Sequence, residues 1–216
     1  MRTFYFDLDG TVLDIRCRLY SIYTDVVKEL GGKALSEEAY WAAKREQFPE
    51  ELIAKRGNVQ NFSQYAKLRK EKLELPEYLD YDKLIPQAIE SLLELKKNGR
   101  IVLVTLRKSK ENLYRQLRRL EIWSLFDKVL VGNDAEEGWR GKAKIISSDS
   151  HFAPQDSVII GDSEADVLAG KNLNIITVAV LSGIWSKDKL LLSYPDYIIE
   201  DITHLKSVLD NLPNRV

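Results

Sequence analysis

Residues 4–14 read FYFDLDGTVLD, an apolar run that meets two carboxylates one position apart and then a Gly-Thr step. Alternate side chains of a strand point the same way, so Asp7 and Asp9 share a face if the extended backbone continues that far. Gly10 and Thr11 break the run and mark a tight turn or a close pass of backbone by a ligand. Two crowded carboxylates repel unless a cation, a shared proton or strong donors intervene. The stretch therefore predicts a strand over residues 3–8 with chemistry at its carboxyl end.

Working outward, residues 19–75 read as helical. Leu19, Ile22, Tyr23, Val26, Val27 and Leu30 recur at helical spacing before Gly31 and Gly32. Ser36 caps a second helix whose first turn carries Glu37 and Glu38, where the helix dipole favours them. A third runs from Pro49 to Gly57, and a fourth ends before Pro76. From residue 86 the texture changes. Helices expected over 86–98, 109–120, 142–148, 163–172 and 203–209 alternate with apolar strands over 100–106, 128–132, 157–162, 174–180 and 196–200. Such alternation predicts an α/β fold, a doubly wound parallel sheet with helices on both faces. The first strand is too apolar to stand alone and joins this sheet. Residues 1–15 and 84–216 then form a discontinuous core, and residues 16–83 an inserted all-helical cap domain.

Composition narrows the class. The 216 residues are 44% hydrophobic and 30% charged with a net charge of −1, an ordinary globular balance without the basic field that nucleic acid attracts. No stretch approaches the roughly 20 apolar residues that span a bilayer. The opening MRTFYFDLDG reaches acidic residues too early for the apolar core of a secretion signal. Cys17 is the only cysteine, which fits a reducing compartment, and the expectation is a cytoplasmic protein. His151 and His204 lie in no metal-ligand spacing and read as surface or loop residues. Tyr40, Trp41, Phe48, Tyr65 and Trp123 read as packing residues. Arg16, Arg18, Lys44, Arg45, Lys55 and Arg56 read as solvated cap charges before they read as an anion site.

Ligands of open α/β sheets bind beyond the carboxyl ends of the strands. Asp7 and Asp9, Thr105, Asp162, and Asn133 with Asp134 sit at such ends, and Lys142 lies beyond the last of these. Carboxylates converging from distant strands suit a hard cation such as Mg²⁺. A hydroxyl and an ammonium beside them suit a phosphate.

FDLDGT at residues 6–11, LVTLR at 103–107, Lys142 in GKAKII and IIGDSEAD at 159–166 follow one another as they do in the haloacid dehalogenase superfamily. The chain resembles its phosphoglycolate-phosphatase-like branch with a C1-type helical cap. The resemblance implies a Mg²⁺-dependent phosphatase of small phosphorylated metabolites. Asp7 would be the nucleophile that forms an aspartyl-phosphate. Asp9 would serve as acid and then base, and would offer its backbone carbonyl to the metal. Thr105 and Lys142 would hold phosphoryl oxygens, with Lys144 as the other candidate lysine. Asp162 would bind the metal beside Asp7, and Asp166 would join that shell or support it. Backbone donors over residues 8–10 would help cradle phosphate. A phosphomutase acting on a sugar phosphate uses the same groups. Dehalogenase and phosphonate-hydrolase chemistry fit less well, because those branches depart from aspartate at the position of Asp9. A phosphoacceptor signalling module is the reading from another class, and an acidic pair at residue 7 followed by a helical insertion does not fit its compact arrangement.

Overall fold

The computed structural model describes residues 1–132 and 138–209; Asn133 and Asp134 lie outside them. The strands are β1 (Arg2–Phe6), β2 (Leu13–Asp14), β3 (Lys83–Leu84), β4 (Gly99–Thr105), β5 (Lys128–Val131), β6 (Ser157–Gly161), β7 (Ile176–Val180) and β8 (Tyr197–Ile199). Six of them form one parallel sheet in the order β5-β4-β1-β6-β7-β8. β1 lies at its centre because both of its faces are apolar. Phe4 and Phe6 pack on one side with Ile101 and Leu103, and Tyr5 on the other with Val102, Val104 and Ile159, as the two-residue period of a strand requires.

Five helices lie between β2 and β3: α1 (Arg16–Glu29), α2 (Glu37–Arg45), α3 (Glu50–Arg56), α4 (Phe62–Lys72) and α5 (Pro76–Leu79). Ser36 caps α2 as expected, its side chain accepting from Ala39 N at 3.3 Å. Stacked rings of Tyr23 and Tyr40, 4.5 Å apart, join α1 to α2. Next come α6 (Ala88–Lys96), α7 (Lys110–Arg119), α8 (Gly138–Ser147), α9 (Glu164–Asn172), α10 (Lys187–Leu191) and α11 (Leu205–Leu209). α6, α7 and α11 cover the Phe4 face, α8 and α9 the Tyr5 face. The sheet is doubly wound and carries an inserted helical block. Among the described residues no helix is long and apolar enough to cross a membrane.

Several elements differ from expectation. α5, α10 and the two-residue strands β2 and β3 are too short for a periodic signal. β2 and β3 pair antiparallel, Leu13 with Leu84 and Asp14 with Lys83, so the chain enters and leaves the helical block side by side. α1 begins at Arg16, three residues before its first expected apolar position. β1 ends at Phe6, short of Leu8. Asp7 N still donates to Ile160 O at 2.9 Å, and then Leu8 O accepts from Val12 N and Leu13 N at 3.0 Å each, which bends the chain out of the sheet.

Away from the strands' carboxyl ends, buried Asp149 accepts from Tyr5 Oη at 3.1 Å, from Lys128 Nζ at 2.9 Å and from the Arg100 guanidinium. Burial alone would raise its pKa, but the Arg100 and Lys128 bonds outweigh it and hold the carboxyl well below its ordinary range. A depressed carboxyl stabilises the fold above its unfolded pKa and loses that contribution as pH falls toward the folded value. Asp149→Asn is expected to cost about 3–5 kcal/mol at neutral pH by stranding Arg100. In denaturant titrations that gap should narrow below about pH 4.

Candidate active site

β1, β4 and β6 are neighbours in the sheet, so the residues at their carboxyl ends meet. The turn after Asp7 needs a left-handed residue, and Gly10 supplies it at φ +81°. A Cβ here would also fall 2.5 Å from Asp162 Oδ2. The Gly10 N–H donates to Leu13 O at 2.8 Å. That corrects the expectation of a phosphate donor at this position, because the turn consumes it.

Asp7, Asp162 and Asp166 are buried, and their carboxylates offer oxygens within 4.8 Å of one another. Asp162 follows β6, and its Oδ2 accepts from Ile184 N at 2.7 Å. Asp166 is in the first turn of α9, where its Oδ2 accepts from Ser163 N at 3.2 Å and Ser163 Oγ at 2.5 Å, closing a capping box. Lys142 reaches in from α8, donating to Asp7 Oδ1 at 2.6 Å and to Asp166 Oδ1. Lys142 sits inside α8 rather than at its start, so its ammonium, not a helix N-terminus, meets the acidic groups. Lys144 is exposed. Thr105 is buried at the end of β4, its Oγ1 accepting from Arg107 N at 3.3 Å.

Burial pushes Asp7 up to about 7 against the pull of Lys142, and the Asp166 charge adds to the rise. Asp162 stands well above its ordinary value through burial and the charges of Asp7 and Asp166. Burial would lower Lys142, but Asp166 and Asp7 hold it well above the ordinary lysine value. Were all three carboxyls ionised, one ammonium would leave negative charge uncompensated, so protons are retained here where no cation replaces them. The donors are all oxygen, the set a hard divalent cation takes, and Mg²⁺ fits them. A Cβ on Gly183 would collide with the Asp162 carboxylate, so the backbone itself packs against this donor set. Because a divalent cation needs ionised carboxylates, its affinity is expected to climb as pH rises through about 7, to which burial pushes Asp7. Below that pH, binding should release a proton. Calorimetry in buffers of different ionisation enthalpy reads that proton directly.

Asp9 faces elsewhere. Its carboxylate is held by Arg107, with Nε donating at 2.8 Å, and by Arg18 Nη2 at 2.6 Å. Burial opposes ionisation there, but the two guanidiniums overcome it and hold Asp9 well below the usual carboxylate range. Asp82 and Gln116 back this cluster. Asp82 escaped the sequence reading, Arg18 read as a solvated charge, and the locally basic stretch 106–119, which reads in sequence as an outer helical face, instead buries Arg107 and Gln116. Gln116 was within reach, since it lies on the apolar stripe of α7 between Leu113 and Leu117. Of the other cap charges, Arg45 donates to Leu181 O and Gly183 O at 2.9 Å each, and Lys44 pairs with Glu50. His151 and His204 are exposed.

Residues 4–180 match the sequence profile of the haloacid dehalogenase-like hydrolases, and the chain belongs to that family. It is an enzyme of the hydrolase class. A phosphoglycolate phosphatase of Synechococcus elongatus is 24% identical over 98% of this chain and 99% of its own length. A pyrophosphatase PpaX of Oceanobacillus iheyensis is 20% identical, covering 97% of each. Among solved structures, a haloacid dehalogenase-like family hydrolase from Streptococcus pneumoniae superposes with a TM-score of 0.78 at 23% identity, over 97% of this chain and 98% of that one.

Proposed function

We propose that the chain is a Mg²⁺-dependent phosphatase that hydrolyses a small phosphomonoester through an aspartyl-phosphate on Asp7. The observation that carries this reading is the buried set of Asp7, Asp162 and Asp166 threaded by Lys142, on a chain of this family whose relatives include a phosphoglycolate phosphatase and a pyrophosphatase.

Asp7, Asp162 and Asp166, with the main-chain carbonyl of Asp9, would hold Mg²⁺, which when bound offsets the negative charge of the phosphoryl oxygens. An Asp7 oxygen attacks phosphorus and the bond to the leaving oxygen breaks. Asp9, ionised while Arg18 and Arg107 hold it, takes up a proton from water as it turns away from them and gives that proton to the leaving oxygen. Water then attacks the phosphorus of the aspartyl-phosphate, its proton passing to Asp9. Inorganic phosphate leaves and the Asp7 carboxylate is restored. Lys142 and Thr105 stabilise charge on the transferring oxygens. Residues 16–83 act as the cap domain that limits substrate size and shields the reaction from water. Arg45 ties this block to the loop that also holds Asp162 through Ile184. A cytoplasmic setting fits the single cysteine.

The test is phosphate release across a panel of small phosphomonoesters, with and without chelator, and with product analysis. Sustained release of inorganic phosphate that chelation stops supports the proposal. An isomerised sugar phosphate in place of free phosphate would replace it with a mutase.

A further inference from the structure

Both oxygens of Asp9 are engaged by guanidinium. Arg107 donates Nε to Oδ2 at 2.8 Å and Nη2 to Oδ1, and Arg18 Nη2 donates to Oδ1 at 2.6 Å. The side chains of Arg18 and Arg107 are 4% and 5% exposed, that of Asp9 28%. The carboxylate is thus the part of the cluster that meets solvent, and the guanidiniums stand behind it.

Each guanidinium also has its own framework. Arg18 Nε lies 3.0 Å from Asp82 Oδ1, and its Nη1 donates to Leu73 O at 3.2 Å. Arg107 Nη1 donates to Gln116 Oε1, and its Nη2 lies 3.4 Å from Asp82 Oδ2. Gln116 Nε2 donates to Asp82 Oδ2 and to Leu79 O at 2.8 Å each. The two arginines therefore have anchors besides Asp9. Apart from Asp9, the cluster has two positive charges against the single carboxylate of Asp82. A buried cation without a partner is strongly unfavourable.

The role proposed for Asp9 requires an oxygen at the leaving group. A carboxylate with both oxygens bound to guanidinium must release at least one to serve there, and what it releases is a buried positive charge beside the reacting bond. We propose that Arg18 and Arg107 form an anion-receiving pair on the leaving-group side of the site. Asp9 occupies the pair at rest, and a second anionic group of the substrate takes it over as Asp9 turns to the leaving oxygen. The substrate is then a phosphomonoester whose leaving group carries a carboxylate or a second phosphoryl group. Planar guanidiniums suit either, since both anions accept paired N–H donors. This rests on the phosphatase reading for the role of Asp9, but its test needs no turnover.

Titration calorimetry on the Mg²⁺-loaded protein would compare methylphosphonate, with one anion, against phosphonoacetate and methylenediphosphonate, which add a carboxylate or a second phosphonate. At least one two-anion probe is expected to bind about tenfold tighter than methylphosphonate, near 1.4 kcal/mol, and which one it is tells carboxylate from phosphate. Arg107→Met and Arg18→Met should each remove most of that excess, bringing the ratio of two-anion to one-anion affinity toward one. Should either fail to fold, Arg107→Lys and Arg18→Lys keep the charge without the planar fork and should still lose much of the excess. Equal binding of all three probes, or an excess that survives in the variants, overturns the proposal. Excess binding without phosphate release from any ester would instead reject the phosphatase reading and keep the anion pair.

Discussion

Asp7→Asn is expected to lower multiple-turnover phosphate release by at least about ten-thousand-fold, because an amide cannot attack phosphorus or regenerate from an acyl phosphate. The same change should not weaken the fold. Burial pushes the Asp7 carboxyl up to about 7, so the folded protein holds a proton that the unfolded chain releases nearer pH 4. Wherever the folded state binds more protons, stability falls as pH rises. Ionised Asp7 thus burdens the metal-free fold progressively between about pH 4 and about 7. Asparagine removes that burden, and thermal melts of metal-free Asp7→Asn should match or exceed wild type at pH 8. Lost activity with retained or raised stability separates a reacting group from a structural one. A variant that loses both together would place Asp7 in the framework instead.

Lys142→Met should show the opposite pairing. Its ammonium is the donor shared by Asp7 and Asp166, and its removal leaves buried carboxylates facing one another. The expected cost to the metal-free protein is about 3–5 kcal/mol, with part recovered on adding Mg²⁺, which binds the folded state. Turnover should fall by about a hundredfold to a thousandfold through loss of a charge aimed at the phosphoryl oxygens. Lys144→Met, two residues on and exposed, is the control and should shift stability by less than about 0.5 kcal/mol. Equal effects at the two positions would refute the placing of Lys142 in the site.

The doubly wound sheet was legible because strands buried on both faces have no polar alternation to dilute their pattern: residues 101–104 (IVLV) and 158–160 (VII) are unbroken apolar runs. The meeting of Asp7 and Asp162 was legible because each follows such a strand, and the sheet order sets β1 beside β6; Asp166, in the first turn of α9, was reached only through the family resemblance. The direction of Asp9 was not. It is decided by Arg107, 98 residues away in sequence, and by a turn that ends β1 before the two aspartates can share a face. Arg18 read as a solvent charge because the apolar period begins at Leu19. The helix in fact starts at Arg16, and Arg18, in its first turn, is buried. Asp82 lies just before a two-residue strand that no periodicity announces.

The most direct measurement is acid-quenched peptide mapping of the protein mixed with a hydrolysed phosphomonoester and Mg²⁺. A phosphoryl group is expected on Asp7 during turnover, decaying at the catalytic rate and absent from Asp7→Asn. Steady turnover with no phosphoryl group on Asp7, or a phosphoryl group that persists without turnover, would contradict that expectation.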